Sequence, residues 1–331
     1  MIPHKIPIID IEPLFASNSD SGSYNKTIKE IAQACRKNGF FYISGHSISG
    51  DLQNKLEALS KVFFELPLEE KMKISMQKGG KAWRGYFPIG DELTSGKPDQ
   101  KEGLYFGSEL DSTHPKVKAG IPLHGSNLFP EYPSEMKAFV LEYMSKLEQI
   151  GHALMKGISL SVGLEEDFFH RKFTYDPTLL FRIFHYPAQE EASENWGVGE
   201  HTDYGLLTIL KQDTSGGLQV KSKGQWIDAP PIENTFICNI GDMLDKMTGG
   251  LYKSTPHRVR NTSGKGRLSF PFFFDPSFDA EIKKIVTHNP TQDDYQQRWD
   301  KEDVHAFGGT YGEYLLQKVG KVFPDLKDGL N

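Results

Sequence analysis

A histidine and an aspartate stand two positions apart in the middle of the chain, at His201 and Asp203, just before the apolar segment 206–212. Alternate side chains of an extended segment point to the same side, so this imidazole and carboxylate can bind one ion. His257, which follows Pro256 and begins another apolar segment, is the best candidate for a third ligand. Two imidazoles and one carboxylate on one face of an ion leave its other positions open, which is typical of non-haem Fe(II) sites that activate oxygen.

A second pair with the same spacing follows at Arg267 and Ser269. A guanidinium binds a carboxylate through two parallel hydrogen bonds, and a hydroxyl adds one more donor. The pair can therefore anchor the far carboxylate of a dicarboxylic keto acid. Arg182 and Tyr186 share one face of an earlier predicted strand, so Tyr186 can offer its hydroxyl to the same carboxylate and Arg182 can add positive charge nearby.

These side chains need a rigid β scaffold, and the second half of the chain has the pattern of one. Short apolar or alternating runs are separated by turn signals such as Gly216-Gly217 and Lys223-Gly224. The predicted strands are 179–186, 206–212, 218–221, 226–227, 236–240, 257–261 and 267–274. Several short strands at this spacing predict a sandwich, barrel or jelly roll rather than a parallel α/β sheet.

The first half of the chain is predicted to be mainly helical. Apolar residues at helical spacing predict helices over 24–38, over 51–66 and from about 134 to 163, with a last helix at 311–322. Short strands are expected at 6–11 and 40–44. Segment 79–106 is rich in Gly, Lys and aromatic residues without a clear period, which predicts a long loop or irregular strands over a site.

The order and spacing of these motifs resemble the 2-oxoglutarate/Fe(II) oxygenases related to isopenicillin N synthase. The resemblance rests on three strings: Gly-Glu-His-Thr-Asp (199–203), Ser-Thr-Pro-His-Arg-Val (254–259) and Arg-Leu-Ser (267–269). Further matching strings lie at 38–42, 84–86, 217–220, 224–226, 239–242 and 311–314. The likeness therefore extends over nearly the whole chain.

The resemblance implies a mainly β fold with flanking helices and a double-stranded β-helix (jelly-roll) core. It implies one compact unit with an N-terminal region at 1–120, helical support at 121–175, the jelly-roll core at 176–280 and a C-terminal helical segment at 281–331. It also implies that His201, Asp203 and His257 bind Fe(II). Arg267, Ser269 and Tyr186 are then expected to bind 2-oxoglutarate, with O2 as the second cosubstrate.

The implied reaction couples oxidative decarboxylation of 2-oxoglutarate to hydroxylation, or desaturation, of a small organic molecule. One residue departs from the family pattern, because Phe184 stands where many plant members have an asparagine that contacts the cosubstrate. Segment 84–106 is expected to lie over the site. The candidate walls of the substrate pocket are aromatic: Tyr86, Tyr105, Phe106, Tyr204 and Phe274.

Three other functions remain open from the sequence. Some relatives oxidise their substrate with iron and O2 alone, without 2-oxoglutarate. Zinc hydrolases also use two histidines and a carboxylate, although the sequence has no His-Glu-x-x-His. A catalytically silent protein that binds the metal or 2-oxoglutarate on this fold is the third alternative.

The composition favours a folded protein that acts on small molecules. Of the 331 residues, 44 are Asp or Glu and 38 are Lys or Arg, and no basic block predicts a nucleic-acid partner. Cys35 and Cys238 lie in apolar patterns typical of core residues rather than of a disulfide. Neither a signal peptide nor a membrane-spanning run is recognisable, so we expect a cytoplasmic protein without a membrane partner. The sequence leaves the oligomeric state open.

Overall fold

Two β-sheets form the centre of the structure, a computed structural model that describes residues 6–16, 21–188, 196–261, 264–286 and 301–323. The described residues form twelve strands: β1 (Ile8–Asp10), β2 (Phe40–Ser44), β3 (Gly85–Phe87), β4 (Glu102–Gly107), β5 (Pro177–Tyr186), β6 (Val198–His201), β7 (Leu207–Gln212), β8 (Leu218–Ser222), β9 (Gln225–Asp228), β10 (Phe236–Ile240), β11 (His257–Val259) and β12 (Arg267–Ser277). Each predicted strand has a counterpart among them, with ends that differ by a few residues.

The larger sheet has eight strands in the order β1-β2-β10-β7-β12-β5-β4-β3, and the smaller has four in the order β6-β11-β8-β9. All described strand pairs are antiparallel except β1 with β2. The long strand β12 lies between β5 and β7, so the predicted carboxylate-binding residues come from neighbouring strands.

Eight α-helices flank the sheets in the described part of the chain. They are α1 (Ser21–Lys37), α2 (Gly50–Phe64), α3 (Leu68–Lys71), α4 (Pro115–Lys118), α5 (Met136–Ser161), α6 (Phe168–Lys172), α7 (Asp242–Met247) and α8 (Tyr311–Val322). The longest, α5, buries one apolar stripe, and its Gly151 lies directly against the ring of Phe274 in β12. Only a residue without a side chain permits so close an approach. The sheet is thereby fixed to its helical support.

Segment 79–106 is more regular than its sequence suggests. It contains β3 and most of β4, and β4 pairs with β5 along six residues. All six residues of β4 are buried, so the strand has no polar face and no alternation by which to recognise it. The expected division of the chain at residues 120, 175 and 280 stays a prediction, and its last part extends beyond the described residues.

Within the described parts of the chain, no helix combines the length and apolar character needed to cross a membrane.

Candidate functional site

The two histidines face each other across the smaller sheet. His201 ends β6, His257 begins β11, and the two residues are paired in the antiparallel register. Their ring centres are 4.2 Å apart. Asp203, two residues beyond the end of β6, places Oδ1 3.9 Å from His201 Nε2 and Oδ2 3.8 Å from His257 Nε2. One ligand atom from each residue lies within 4.8 Å of the others, as a shared metal ion requires.

Hydrogen bonds hold these ligands in a binding orientation. The Nδ1 atoms of His201 and His257 lie 2.8 Å and 3.2 Å from the backbone carbonyls of Gly199 and Thr255. Protons at Nδ1 leave both Nε2 atoms as acceptors that point toward Asp203, which is the tautomer that a metal ligand needs.

The carboxylate is fixed from the opposite side. Thr208 Oγ1 and Asn239 Nδ2 donate to Asp203 Oδ2 at 2.5 Å and 2.6 Å. Burial raises the pKa of Asp203, but the two histidines together with the hydrogen bonds from Asn239 and Thr208 outweigh burial, so the pKa is lowered. Burial, followed by the neighbouring His257, lowers the pKa of His201 to about 3. The site therefore offers a neutral imidazole and an ionised carboxylate, the forms that bind a cation.

Arg267, a predicted carboxylate-binding residue, carries a buried guanidinium on β12. Arg267 is fully buried, is paired with Tyr186 across β12 and β5, and holds its Cζ 4.7 Å from the centre of the Tyr186 ring. Its Nε donates to the carbonyl of Gly216 at 2.6 Å. Its two terminal nitrogens have no hydrogen-bond partner in the part of the chain that the structure describes. Buried donors are normally satisfied, so an external carboxylate fits this position.

A central cavity lies between the two sheets, and Arg267 is not among the residues that line it. Its walls include the three candidate metal ligands together with Tyr186 and Ser269. Apolar residues from both sheets and from α8 complete much of the lining: Leu180, Val198, Leu210, Leu218, Pro271, Leu315, Val319 and Val322. Such a cavity restricts the access of water to a bound metal.

Family comparisons agree with this geometry. Residues 177–276 match the 2OG-Fe(II) oxygenase superfamily, and residues 6–132 match the family described as non-haem dioxygenase in morphine synthesis N-terminal. A probable iron/ascorbate oxidoreductase of Dictyostelium discoideum is 51% identical, over 98% of this chain and 97% of the relative.

The chain belongs to the 2-oxoglutarate/Fe(II) oxygenase superfamily. Two further relatives of this oxygenase are named for amino-acid substrates. A 1-aminocyclopropane-1-carboxylate oxidase of Dictyostelium mucoroides is 42% identical over 97% of this chain and 96% of the relative. A homoarginine-6-hydroxylase of Oryza sativa is 37% identical over 95% of this chain and 96% of the relative.

A solved structure shares the fold of the oxygenase. A full-length Neurospora crassa protein, solved in complex with alpha-KG (2-oxoglutarate) and thymine, has a TM-score of 0.79. It is 28% identical, over 95% of this chain and 96% of that one. The predicted jelly-roll core and flanking helices are thus confirmed. Fe(II) and 2-oxoglutarate are confirmed as the cofactor and cosubstrate of this family of enzymes.

The structure separates the predicted substrate residues into two groups. Tyr204 lines the central cavity. Tyr105 lies one layer behind it, with Arg182 Cζ 4.1 Å over its ring and its hydroxyl donating to Glu92. Neither Tyr105 nor the other three residues line the cavity. Tyr86 donates to Glu102, Phe106 stacks on Phe129, and Phe274 packs against α5.

Strand alternation explains why Phe274 does not line the cavity. Phe273, one position before Phe274, lines the cavity, so the neighbouring ring turns to the helical side of the sheet. Arg182 lines the cavity and pairs with Glu92, and its expected contribution of positive charge near the cosubstrate stays a prediction. Phe184 also lines the cavity and holds Lys101 Nζ 4.8 Å over its ring.

Several polar residues of the site were not assigned from the sequence. Asn239 belongs to the string Asn-Ile-Gly-Asp at 239–242, which contributed to the family resemblance without indicating a role. Glu92 and Lys101 lie within the segment expected to cover the site, where aromatic residues alone were considered. Their position between two strands, with no periodic pattern, gave no local signal of which way they point.

Proposed function

We propose that His201, Asp203 and His257 bind Fe(II), and that Arg267, Ser269 and Tyr186 bind the far carboxylate of 2-oxoglutarate. The observation that carries this proposal is the convergence of three ligand atoms within 4.8 Å on the wall of a cavity. When bound, Fe(II), 2-oxoglutarate and O2 supply the redox chemistry, in which 2-oxoglutarate gives succinate and CO2 while the substrate is oxidised.

The contribution of the protein is orientation. Backbone carbonyls fix the tautomers of both histidines, while Thr208 and Asn239 keep the carboxylate of Asp203 turned toward them. Ligands whose rotation is restricted in this way leave defined open positions for a cosubstrate and O2.

Arg267 has the chemistry required for the cosubstrate. Its two terminal nitrogens are unpaired among the described residues and can form a bidentate contact with a carboxylate. Ser269 lies two residues further on the same strand, and both Ser269 and Tyr186 line the cavity. Phe184 offers no hydrogen bond where related plant enzymes have an amide, so these three groups would hold the carboxylate without that contact.

Hydroxylation of a small organic molecule is the proposed outcome, and amino acids are the first class to test. The names of a 1-aminocyclopropane-1-carboxylate oxidase and a homoarginine-6-hydroxylase support this choice, since both substrates are amino acids. Desaturation of the same substrate class would use the same residues.

Metal content and succinate formation test the proposal together. Protein purified without oxygen is loaded with Fe(II) and 2-oxoglutarate, then exposed to O2 with L-homoarginine, 1-aminocyclopropane-1-carboxylate or thymine. We expect about one iron per chain, and succinate formation that accelerates with an amino acid and is abolished in His257→Ala. Oxygen uptake without succinate would instead establish an oxidase independent of 2-oxoglutarate. Tight zinc with no iron binding would overturn the proposal.

We also propose a cytoplasmic location and no nucleic-acid partner. The two cysteines are buried and unpaired, which suits a reducing compartment, and the formal net charge of -6 does not favour a polyanion. Fractionation of cells that express the tagged protein, with an immunoblot of each fraction, would test the location.

A further inference from the structure

Four charged side chains form a cluster at the wall of the central cavity: Glu92, Asp99, Lys101 and Arg182. We call it the charge cluster. Lys101 Nζ lies 2.8 Å from Glu92 Oε2 and also pairs with Asp99, while Arg182 Nη1 lies 3.4 Å from Glu92 Oε1. Glu92, Lys101 and Arg182 line the same cavity as the metal ligands.

Burial of the charge cluster lowers the free energy of unfolding unless the ion pairs compensate for the lost solvation. The side chains of Glu92 and Lys101 are 4% and 1% exposed, and each buried charge loses the solvation that water would give it. Apolar residues of similar volume are often as stabilising as such pairs, or more so. Stability alone therefore does not account for four charges beside the reacting centre.

A second buried network shows what a purely structural arrangement looks like. Glu102 accepts from Lys71, Tyr86 and His185 at 2.6–2.8 Å, and none of these residues lines the cavity. Both oxygens of Glu102 are thereby satisfied inside the protein. Glu102 directly follows Lys101, so the side chains of these adjacent residues point to opposite faces of the sheet, with only Lys101 on the cavity wall.

Arg182 differs from that network because part of its bonding capacity is unused. Its side chain is 15% exposed, its contact with Glu92 is long, and its Nε has no hydrogen-bond partner among the residues described. Burial lowers the pKa of Arg182, but Tyr105 and Glu92 raise it by more, so the group stays a cation. For Glu92 the burial effect is likewise outweighed, here by Lys101 and Arg182, and its pKa is lowered.

We propose that Arg182 and Glu92 form a subsite for the head group of an α-amino acid, with the carboxylate on Arg182 and the ammonium on Glu92. This inference rests on the proposed function, and it deepens it by naming the groups that select the substrate class. The two charges of an α-amino acid sit on one carbon atom. They therefore match a cation and an anion that are direct neighbours in the protein.

Exchange of partners explains why the cluster combines both signs. A zwitterion that enters between Arg182 and Glu92 gives each of them a new opposite charge, while Lys101 and Asp99 keep each other paired. A ligand that lacks the carboxylate leaves Arg182 separated from Glu92 without a new anion. A ligand that lacks the ammonium leaves Glu92 with Lys101 and Tyr105 alone. Sites built to bind a polar group reject analogues that lack it by large factors, so we expect losses of about 100-fold or more.

Calorimetry on the intact protein, loaded with Mn(II) and 2-oxoglutarate, tests this subsite without turnover. The probes are L-arginine, L-leucine and L-glutamate, each compared with its methyl ester, which lacks the carboxylate, and with its des-amino acid. We expect at least one amino acid to bind, and both of its analogues to bind about 100-fold more weakly or worse. Equal binding of the analogues would overturn the subsite, as would binding by none of the three amino acids.

Variants test which protein group reads which charge. In Glu92→Gln the preference for the amino acid over its des-amino analogue should shrink at least 10-fold. In Arg182→Gln the preference over the methyl ester should shrink instead. Glu102→Gln is the matched control, because it removes an equally buried carboxylate outside the cavity, and it should alter neither preference. Preferences that remain unchanged in the two subsite variants would contradict the assignment.

Failure of the subsite and failure of the proposed function give different results. Binding of 2-oxoglutarate to the Mn(II)-loaded protein is measured first in the same calorimeter. If 2-oxoglutarate binds and no amino acid does, only the subsite is wrong. If 2-oxoglutarate itself does not bind, the proposed function is wrong and the subsite falls with it.

Discussion

Arg267 and Tyr186 are cross-strand partners in the larger sheet, and the guanidinium of Arg267 lies 4.7 Å from the ring centre of Tyr186. The ring supports the guanidinium on one face, and Nε is fixed by the carbonyl of Gly216. Only the two terminal nitrogens remain for a ligand. This arrangement suits the proposed role of Arg267 as a carboxylate receptor, because little side-chain freedom would be lost on binding.

Loss of that receptor should weaken 2-oxoglutarate binding specifically. Hydrogen bonds to charged groups contribute about 1.5–3 kcal/mol, so Arg267→Met should raise the Kd for 2-oxoglutarate roughly 10- to 100-fold. Arg267→Lys keeps the charge but loses the bidentate geometry. Its Kd for 2-oxoglutarate should therefore lie between the values for Arg267→Met and the wild type. Calorimetry with the Mn(II)-loaded protein measures both values.

Arg84→Met provides the control for that experiment. Arg84 is also buried, but its Nη2 donates to the carbonyl of Leu123. Its removal should lower thermal stability without changing the Kd for 2-oxoglutarate. A wild-type Kd in Arg267→Met would show that the cosubstrate is anchored elsewhere.

Asn239 should influence metal affinity although it does not bind the metal in our assignment. Its amide donates to Asp203 Oδ2 at 2.6 Å and keeps the carboxylate facing the two histidines. Groups that orient metal ligands typically contribute roughly 10- to 100-fold in affinity, and we expect a loss of about this size in Asn239→Leu. Titration with Mn(II) against a competing chelator measures it.

Another buried asparagine separates this effect from general destabilisation. Asn127 donates to the carbonyl of Gly107, so Asn127→Leu should reduce stability and leave metal affinity unchanged. If Asn239→Leu bound Mn(II) as tightly as Asn127→Leu does, Asn239 would be only a packing residue.

Gly205 allows a stability prediction near the same site. A Cβ at this position would collide with Asp275 Oδ1, inside a fully packed region. Gly205→Ala must displace Asp275 or the backbone, at a cost of about 1–3 kcal/mol or more. Thermal unfolding should show a clear fall in Tm. Gly50→Ala, where a Cβ meets nothing within 4 Å, should leave Tm nearly unchanged; a similar fall in both would refute the steric reason.

The convergence of the three candidate metal ligands was predictable because its signals are local. His201 and Asp203 are two residues apart, and Pro256 favours an extended chain before His257. Arg267 and Ser269 follow the same rule of alternation. In each case the residue types indicate which group the site can bind, and the two-residue spacing indicates that the side chains lie on the same face of a strand. The structure brings the three candidate metal ligands together on and beside the smaller sheet, and it places Arg267 and Ser269 on the larger sheet, with Ser269 on the wall of the same cavity.

The substrate side was less predictable because its signals are not local. The choice between Phe273 and Phe274 depends on which face of β12 meets the cavity, and an error of one residue reverses the answer. Glu92 lies between β3 and β4, and it meets Arg182 of β5 although 90 residues separate the two. Contacts between distant segments are decided by sheet register, which residue spacing alone does not encode.

Asp275 should make stability depend on pH. Burial raises its pKa from 3.8 to about 7, although the Tyr311 hydroxyl and the Leu206 amide both donate to it. The folded state therefore binds this proton more tightly than the unfolded state. The stabilisation from this group is complete below about pH 4 and is lost as the pH rises through about 7. Asp275→Asn cannot ionise; its Oδ1 can accept from the Leu206 amide while its Nδ2 donates to the oxygen of the Tyr311 hydroxyl.

The comparison of wild type with Asp275→Asn isolates that contribution. Urea unfolding at pH 5, 6, 7 and 8 should show the wild type losing stability relative to the variant, with the steepest loss between pH 5 and 6 and a plateau above about pH 7. The difference should persist at about 1 M salt, because a buried group is screened little. Two parallel stability curves would mean that Asp275 titrates alike in the folded and unfolded chains, and that burial does not hold its proton.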